Sequence, residues 1–386
     1  MPSVEAVNDI RPFHIDIPQA RLDELNARLA ATRWPDELPG VGWSHGVPVS
    51  YVKELAEYWQ TKYEWRVHEA RLNSFAQFRT DIHGNAVHFL HVRSPEPDAL
   101  PLVLVHGWPM SHVQFLDVIG PLTDPRAHGG DPADAFHVVV PNMPGFAFSG
   151  PTRRVGDGDS NRHAEVVAEL MARLGYDRYG AQGGDLGSFV APQLGRLAPE
   201  RLVGVHMNDP ITIPAWDADA TAFSPADQEK LAILTNSWES ERGGYASIQS
   251  TRPQTLAVGL HDSPAGLLTW IADIVHLFSD PAKELPDDAI DRDALLTNVT
   301  VYWLTETLAS STRIYKESPS WGAQLESSGV PTGCALFPGN LTVRGIAEQQ
   351  NAVVHWSEFD RGGHFAALEA PDLLVADIRE FFRKLR

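Results

Sequence analysis

The sequence predicts an α/β fold: a mostly parallel sheet covered by helices, with a helical insertion above it. Three observations carry that reading. From about residue 75, short apolar runs of strand length alternate with helix-length segments, as in a parallel sheet covered on both faces. Between about 213 and 325 the strand signal lapses into helical segments rich in Trp, Pro and Ser. One apolar run, Tyr179-Gly180-Ala181, leads into Gly183-Gly184-Asp185-Leu186-Gly187-Ser188, the glycine frame of a strained strand-to-helix elbow.

Taken in order, residues 19–33 predict an amphipathic helix, because Ala20, Leu22, Leu25, Leu29 and Ala30 recur at helical spacing. The breaker-rich stretch Trp34-Pro35-Asp36-Glu37-Leu38-Pro39-Gly40 ends it, and a second helical segment is expected near 50–72. Strands are expected at Ala86–Leu90, Leu102–Val105, Val138–Val140, Tyr179–Ala181, Val203–Val205, Ala335–Phe337 and Val353–Trp356. The chain divides on this basis into an N-terminal segment (1–80), a core (81–212 and 326–386) and a helical lid (213–325). No internal repeat or low-complexity tract interrupts it.

Composition narrows the function. The 386 residues are 43% hydrophobic and 21% charged, ordinary for a folded globular protein. A formal net charge of −19 repels phosphate backbones and anionic lipid surfaces, so nucleic acid and membranes are poor partners. A single cysteine, Cys334, rules out an internal disulfide and suits a reducing cytoplasm; the opening residues carry neither signal-peptide nor anchor pattern.

The elbow carries a carboxylate where a serine would perform acyl transfer. Aspartate has no proton to lose, so Asp185 can displace a carbon–oxygen or carbon–halogen bond directly and leave an alkyl-enzyme ester. Hydrolysis of that ester needs its carbonyl polarised, a task for the backbone N–H groups of Trp108, in His106-Gly107-Trp108-Pro109, and of Leu186. It also needs a base. His364, on the glycine turn Asp360-Arg361-Gly362-Gly363-His364-Phe365 after the last strand, lies in the right chain order and can take a proton from water near neutral pH.

Together with Pro144-Gly145-Phe146-Ala147-Phe148-Ser149, these motifs resemble the microsomal-type epoxide hydrolases of the α/β-hydrolase superfamily, over nearly the whole chain. The resemblance implies the α/β-hydrolase fold, with residues 10–100 similar to that group's wrapping N-terminal extension but lacking its membrane-anchor helix. It implies cofactor-free, metal-free addition of water to an epoxide, giving a vicinal diol. It further implies two lid tyrosines that hydrogen-bond the epoxide oxygen; Tyr245 and Tyr315 match those positions. A phenol there is chemically sensible, because an alkoxide is too basic to leave unaided.

Two departures matter. Leu186 replaces the family's usual Trp after the nucleophile, which reshapes the pocket but leaves the N–H in place. The acid expected after the 335–337 strand is replaced by Asn340, in Phe337-Pro338-Gly339-Asn340-Leu341-Thr342, and an amide cannot balance an imidazolium charge. Asp209, in His206-Met207-Asn208-Asp209-Pro210 after the 203–205 strand, is at the same carboxyl edge and can orient His364 instead, as in some related haloalkane dehalogenases; a plain turn role is the alternative.

A haloalkane dehalogenase, with the Trp108 indole as halide donor, and a binding protein with weakened turnover are the rival readings. Trp216, Trp238, Trp270 and Trp303 suggest a large apolar or aromatic pocket, though core packing explains them equally well. The expected partners are a small epoxide and water. Self-association, the epoxide's identity and the role (detoxification or secondary metabolism) are left open by the sequence.

Overall fold

The computed structural model describes residues 9–215, 219–238 and 242–386. Among these, nine strands form one sheet in the order β1-β2-β3-β5-β4-β6-β7-β8-β9. The strands are β1 (Arg11–Pro12), β2 (Gln77–Ile82), β3 (Asn85–Val92), β4 (Leu100–Val105), β5 (Phe136–Pro141), β6 (Tyr179–Gly184), β7 (Leu202–Asn208), β8 (Pro331–Leu336) and β9 (Ala352–Glu358). The β1-β2-β3-β5 edge pairs antiparallel and every later pair is parallel.

Each strand expected from the sequence forms, with small shifts of boundary. β1 and β2 were not expected. β2 lies across the anticipated 80/81 boundary and draws Arg11 and Pro12 into the sheet, so the N-terminal segment contributes an edge to the core. The segment expected near 50–72 is two helices, because the chain breaks at Lys62-Tyr63-Glu64.

The central strands are apolar on both faces because helices cover both. Leu102 to Val105 and Val138 to Val140 have no exposed surface. The core helices are α4 (Leu116–Thr123), α5 (Ser160–Arg173) and α6 (Gly187–Leu197), with α15 (Arg344–Gln350), α16 (Ala366–Glu369) and α17 (Pro371–Arg383) after the lid. The lid contains α7 (Pro225–Asn236), α8 (Gly244–Thr251), α9 (Pro253–Asp262), α10 (Pro264–Phe278), α11 (Pro286–Ala289), α12 (Arg292–Thr305), α13 (Leu308–Ser311) and α14 (Arg313–Glu317).

The N-terminal helices α1 (Gln19–Ala30), α2 (Val49–Thr61) and α3 (Trp65–Asn73) bind to the lid through specific pairs. Trp59 Nε1 donates to Thr300 Oγ1 (2.9 Å), Tyr51 to Asp287 (3.0 Å) and Tyr58 to Asp293 (3.0 Å). Arg21 pairs with Glu306 (2.7 Å) and Arg28 with Asp262 (2.7 Å). No described helix is long and apolar enough to cross a membrane.

Candidate active site

The carboxyl ends of β4 and β6 bring the first two motifs together. Asp185 follows β6 with a left-handed backbone, φ 53°, a conformation that costs a non-glycine residue about 1–3 kcal/mol and persists only where its surroundings impose it. The start of α6 supplies that constraint: the Ser188 N–H and hydroxyl both donate to the Asp185 carbonyl, at 2.9 and 2.6 Å. Gly107 lets the β4 loop pass against the side chain, since a Cβ there would stand 2.3 Å from that of Asp185. The result is a divided carboxylate. Oδ1 accepts the N–H groups of Trp108 (2.8 Å) and Leu186 (2.7 Å), whereas Oδ2 lies 3.2 Å from His364 Nε2.

His364 is held by its backbone. Its N–H donates to the Phe278 carbonyl (3.0 Å) and its carbonyl accepts from the Asn208 amide (3.2 Å), which is itself anchored by Gln182 (2.9 Å). Gly363 packs directly on the end of the lid helix α10: an added Cβ would meet Asp280 N at 2.4 Å. Glu369 binds both sides of that contact, accepting the N–H of Asp280 (2.7 Å) and of Phe365 (3.0 Å), and the Asp280 carboxylate accepts the Gly362 N–H (3.1 Å). Burial acts to lower the His364 pKa, but the hydrogen bond and charge of Asp185, with lesser contributions from Asp209 and Glu369, carry it above its ordinary value.

The two rival acids differ sharply in their surroundings. Asp209, just past β7, is 5% exposed. Its Oδ1 accepts the Phe337 N–H (2.8 Å) and its Oδ2 has no hydrogen-bond partner among the described residues. Burial pushes its pKa up to about 7, and the charge of His364 is the largest influence opposing that rise. Asn340 is turned elsewhere. Its Oδ1 accepts from Lys230 Nζ of α7 (2.8 Å) and its Nδ2 donates to the Phe337 carbonyl (2.6 Å), leaving both ends of the amide occupied away from His364.

Above these groups lies a cavity of about 420 Å³, walled by Asp185, His364, Trp108, Phe278, Tyr245 and Tyr315 among others. Tyr245 on α8 stacks on Trp108, with ring centroids 5.7 Å apart and planes within 7°, and meets Tyr315 on α14 edge to face at 5.9 Å. Burial raises both phenol pKa values, and the Asp185 charge adds to the rise, so both hydroxyls stay protonated donors. α14 is fixed to the core: Glu317 accepts the N–H groups of Gly156 (3.1 Å) and Gly158 (2.8 Å), and Arg313 reaches Thr152 (2.9 Å).

Of the four lid tryptophans, Trp238 lines the cavity. Trp270 instead donates to Gln249 (3.0 Å), Trp303 is buried beneath Arg28, and Trp216 lies outside the described residues. Trp108 and Trp321 also line the cavity.

The N-terminal part of the chain, residues 10–115, matches the family profile described as epoxide hydrolase N terminus, and residues 101–242 match that of the alpha/beta hydrolase fold. A Stigmatella aurantiaca protein provisionally named an epoxide hydrolase is 43% identical, over 98% of this chain and 86% of its own. Epoxide hydrolase 1 of Sus scrofa is 31% identical over 98% and 90%.

The chain belongs to the epoxide hydrolase family. The solved Aspergillus niger epoxide hydrolase superposes with a TM-score of 0.84 at 31% identity, covering 99% of this chain and 98% of that one. The juvenile hormone epoxide hydrolase of Bombyx mori gives 0.82 at 28% identity, over 99% and 95%.

Within this epoxide hydrolase, sequence reasoning had named Asp185, His364, Tyr245, Tyr315, Trp108, Leu186 and Asp209, and all of them meet at one cavity. Asn340 also lines it but points to Lys230. Glu369, Asp280, Asn208, Gln182 and Lys230 had not been named. Gln182, Asn208 and Glu369 stand beside recognised motifs, but nothing local marks their roles, and Asp280 and Lys230 are brought in from the lid by folding.

Proposed function

We propose that this epoxide hydrolase adds water to an epoxide with an apolar, ring-sized substituent, through an Asp185 ester. One observation carries the reading: one Asp185 oxygen is held by two amides, while the other faces His364 at a cavity walled by two protonated phenols. Tyr245 and Tyr315 bind the oxirane oxygen, Asp185 Oδ2 attacks a ring carbon, and a phenol proton passes to the oxygen as the C–O bond breaks. His364 then takes a proton from water, whose oxygen bonds to the ester carbon while the Trp108 and Leu186 amides gather the charge on Oδ1. The tetrahedral species collapses with loss of the Cγ–Oδ2 bond. His364 returns its proton to the departing alkoxide, and the new carboxyl's proton, passed through solvent, restores the phenol.

We assign the orienting acid to Asp209. Its unpartnered oxygen and electrostatic coupling to His364 support that assignment, as does the engagement of Asn340 with Lys230. The halide-displacing alternative is weakened because the Trp108 indole N–H already donates to Ser311 (3.1 Å) and that of Trp321 to Ser160 (3.2 Å). A cytoplasmic setting belongs to the same proposal, supported by the lone, free Cys334.

A single turnover in ¹⁸O-labelled water tests the mechanism. The label is expected in Asp185, with the first diol unlabelled. Label in that first diol, with none in Asp185, would mean direct attack of water on the epoxide and end the proposal; continued diol formation excludes a mere binding protein.

A further inference from the structure

A second, much smaller chamber of about 20 Å³ adjoins the same carboxylate. It shares Trp108, Asp185, His364 and Phe365 with the substrate cavity, but its other walls are core residues, including Gln114, Met110, Phe115, Gly184 and Asn208. A chamber of this size accommodates about one water molecule, provided two or more polar groups face it.

The polar groups around it can be accounted for one by one. Asp185 Oδ1 is taken by two amides, and Asp185 Oδ2 faces His364. Asn208 uses its Nδ2 on the His364 carbonyl and its Oδ1 on Gln182. Gln114 is different. It lies in the short 3-10 turn His112–Phe115 after the β4 loop and is only 9% exposed, yet its side-chain amide makes no hydrogen bond among the described residues. Its amide atoms are unpartnered yet not fully buried, so a water can reach them and offset the roughly 1–3 kcal/mol that an unsatisfied amide costs.

We propose that this rear chamber holds the hydrolytic water and that Gln114 is its positioning residue. The inference rests on the ester mechanism above. Water there donates one hydrogen to Gln114 Oε1 and the other to His364 Nε2, which leaves a lone pair for the Asp185 ester carbon. The proton then passes to His364, the water oxygen–Cγ bond forms and the Cγ–Oδ2 bond breaks. The arrangement answers a practical problem: an alkyl group fills the main cavity during hydrolysis, yet water still has to reach the acyl carbon.

The test uses Gln114→Leu and Gln114→Met, either of which removes the acceptor, with Gln114→Glu as the variant that keeps one. Acid-quenched mass spectrometry follows the ester while steady-state diol formation is measured. The apolar variants are expected to alkylate at the wild-type rate and accumulate close to one ester per site. Their kcat and KM should fall together by tenfold or more with kcat/KM unchanged, and Gln114→Glu should recover most of kcat. The burst amplitude counts correctly folded sites.

Wild-type kcat and ester level in either apolar variant would overturn the assignment, as would a fall in kcat/KM without accumulated ester. Labelled-water turnover separates the two possible failures. Label in Asp185 with indifferent Gln114 variants sinks only the chamber, whereas absence of label from Asp185 sinks the ester mechanism and this inference with it.

Discussion

On the proposed route, esterification of Asp185 would change the histidine beside it. In the free enzyme, the Asp185 hydrogen bond and charge are the main influences that carry His364 above its ordinary pKa against the opposing effect of burial. Once Asp185 is an ester both are gone, while the charges of Asp209 and Glu369 remain to oppose burial. On that route the His364 pKa falls at the stage that needs a base. His364 should titrate above pH 6.5 by NMR in the free enzyme, whereas the single-turnover rate of ester hydrolysis should hold to lower pH and fall only as the ester-state imidazole is protonated. Equal midpoints would contradict this account. Asp209→Asn should lower kcat by roughly 10²–10⁴-fold, with accumulation of ester, by analogy with loss of a triad acid. Asn340→Asp added to Asp209→Asn should recover little of it, because Lys230 stands ready to pair with the new carboxylate; the same kcat and ester measurements read both.

At the level of elements, the two phenols stand on supports of different kind. α14 is tied to the core by Glu317 and Arg313, while Tyr245 on α8 is positioned by stacking on Trp108. Tyr315→Phe and Tyr245→Phe should each reduce the alkylation rate, by about 10²-fold or more for loss of a proton donor, with the double variant close to inactive in stopped-flow measurements. Gly107→Ala tests the elbow itself. Its Cβ would stand 2.3 Å from that of Asp185, and a displacement of about 1 Å at a reacting group costs on the order of 10²-fold in rate. Activity should fall that far while the fold survives by circular dichroism.

What could be read from the sequence follows this division. The parallel strands were visible as short, largely apolar runs, and the elbow and the histidine loop as glycine-framed motifs. β2 was not, because Gln77, Arg79, Thr80 and Asp81 break up its apolar positions, and Arg79 and Asp81 face outward. The restraints on His364 were equally hidden. Asp280 and Glu369 act on backbone N–H groups, one of them across a separation of 89 residues, and no local pattern marks such a pairing.

Across the whole molecule, buried histidines make the fold sensitive to acid. His88, His106, His112 and His163 have no exposed surface. Burial holds His106 down to about 4, His112 and His163 down to about 3, and His88 well below the ordinary value. The unfolded chain takes up protons below about pH 6.5 that the folded chain refuses, so stability falls as pH falls from 6.5 towards 4. Taken alone, the three groups with assigned values contribute a slope of roughly 4 kcal/mol per pH unit near pH 5, partly offset by Asp209 and Glu369, whose carboxyls burial raises to about 7; urea midpoints read the net fall. A flat profile across that window would show that the cluster opens to water before the fold does.

The pairs that run from α2 to Thr300, Asp287 and Asp293 bear on how the enzyme wears out. They make the N-terminal helices a buttress for the roof of the cavity. Damage there, far from the reacting atoms, would slacken the ceiling that carries the phenols while leaving the carboxylate and its amides intact. Heat or proteolysis should consequently silence epoxide opening first, in molecules whose sheet is still whole.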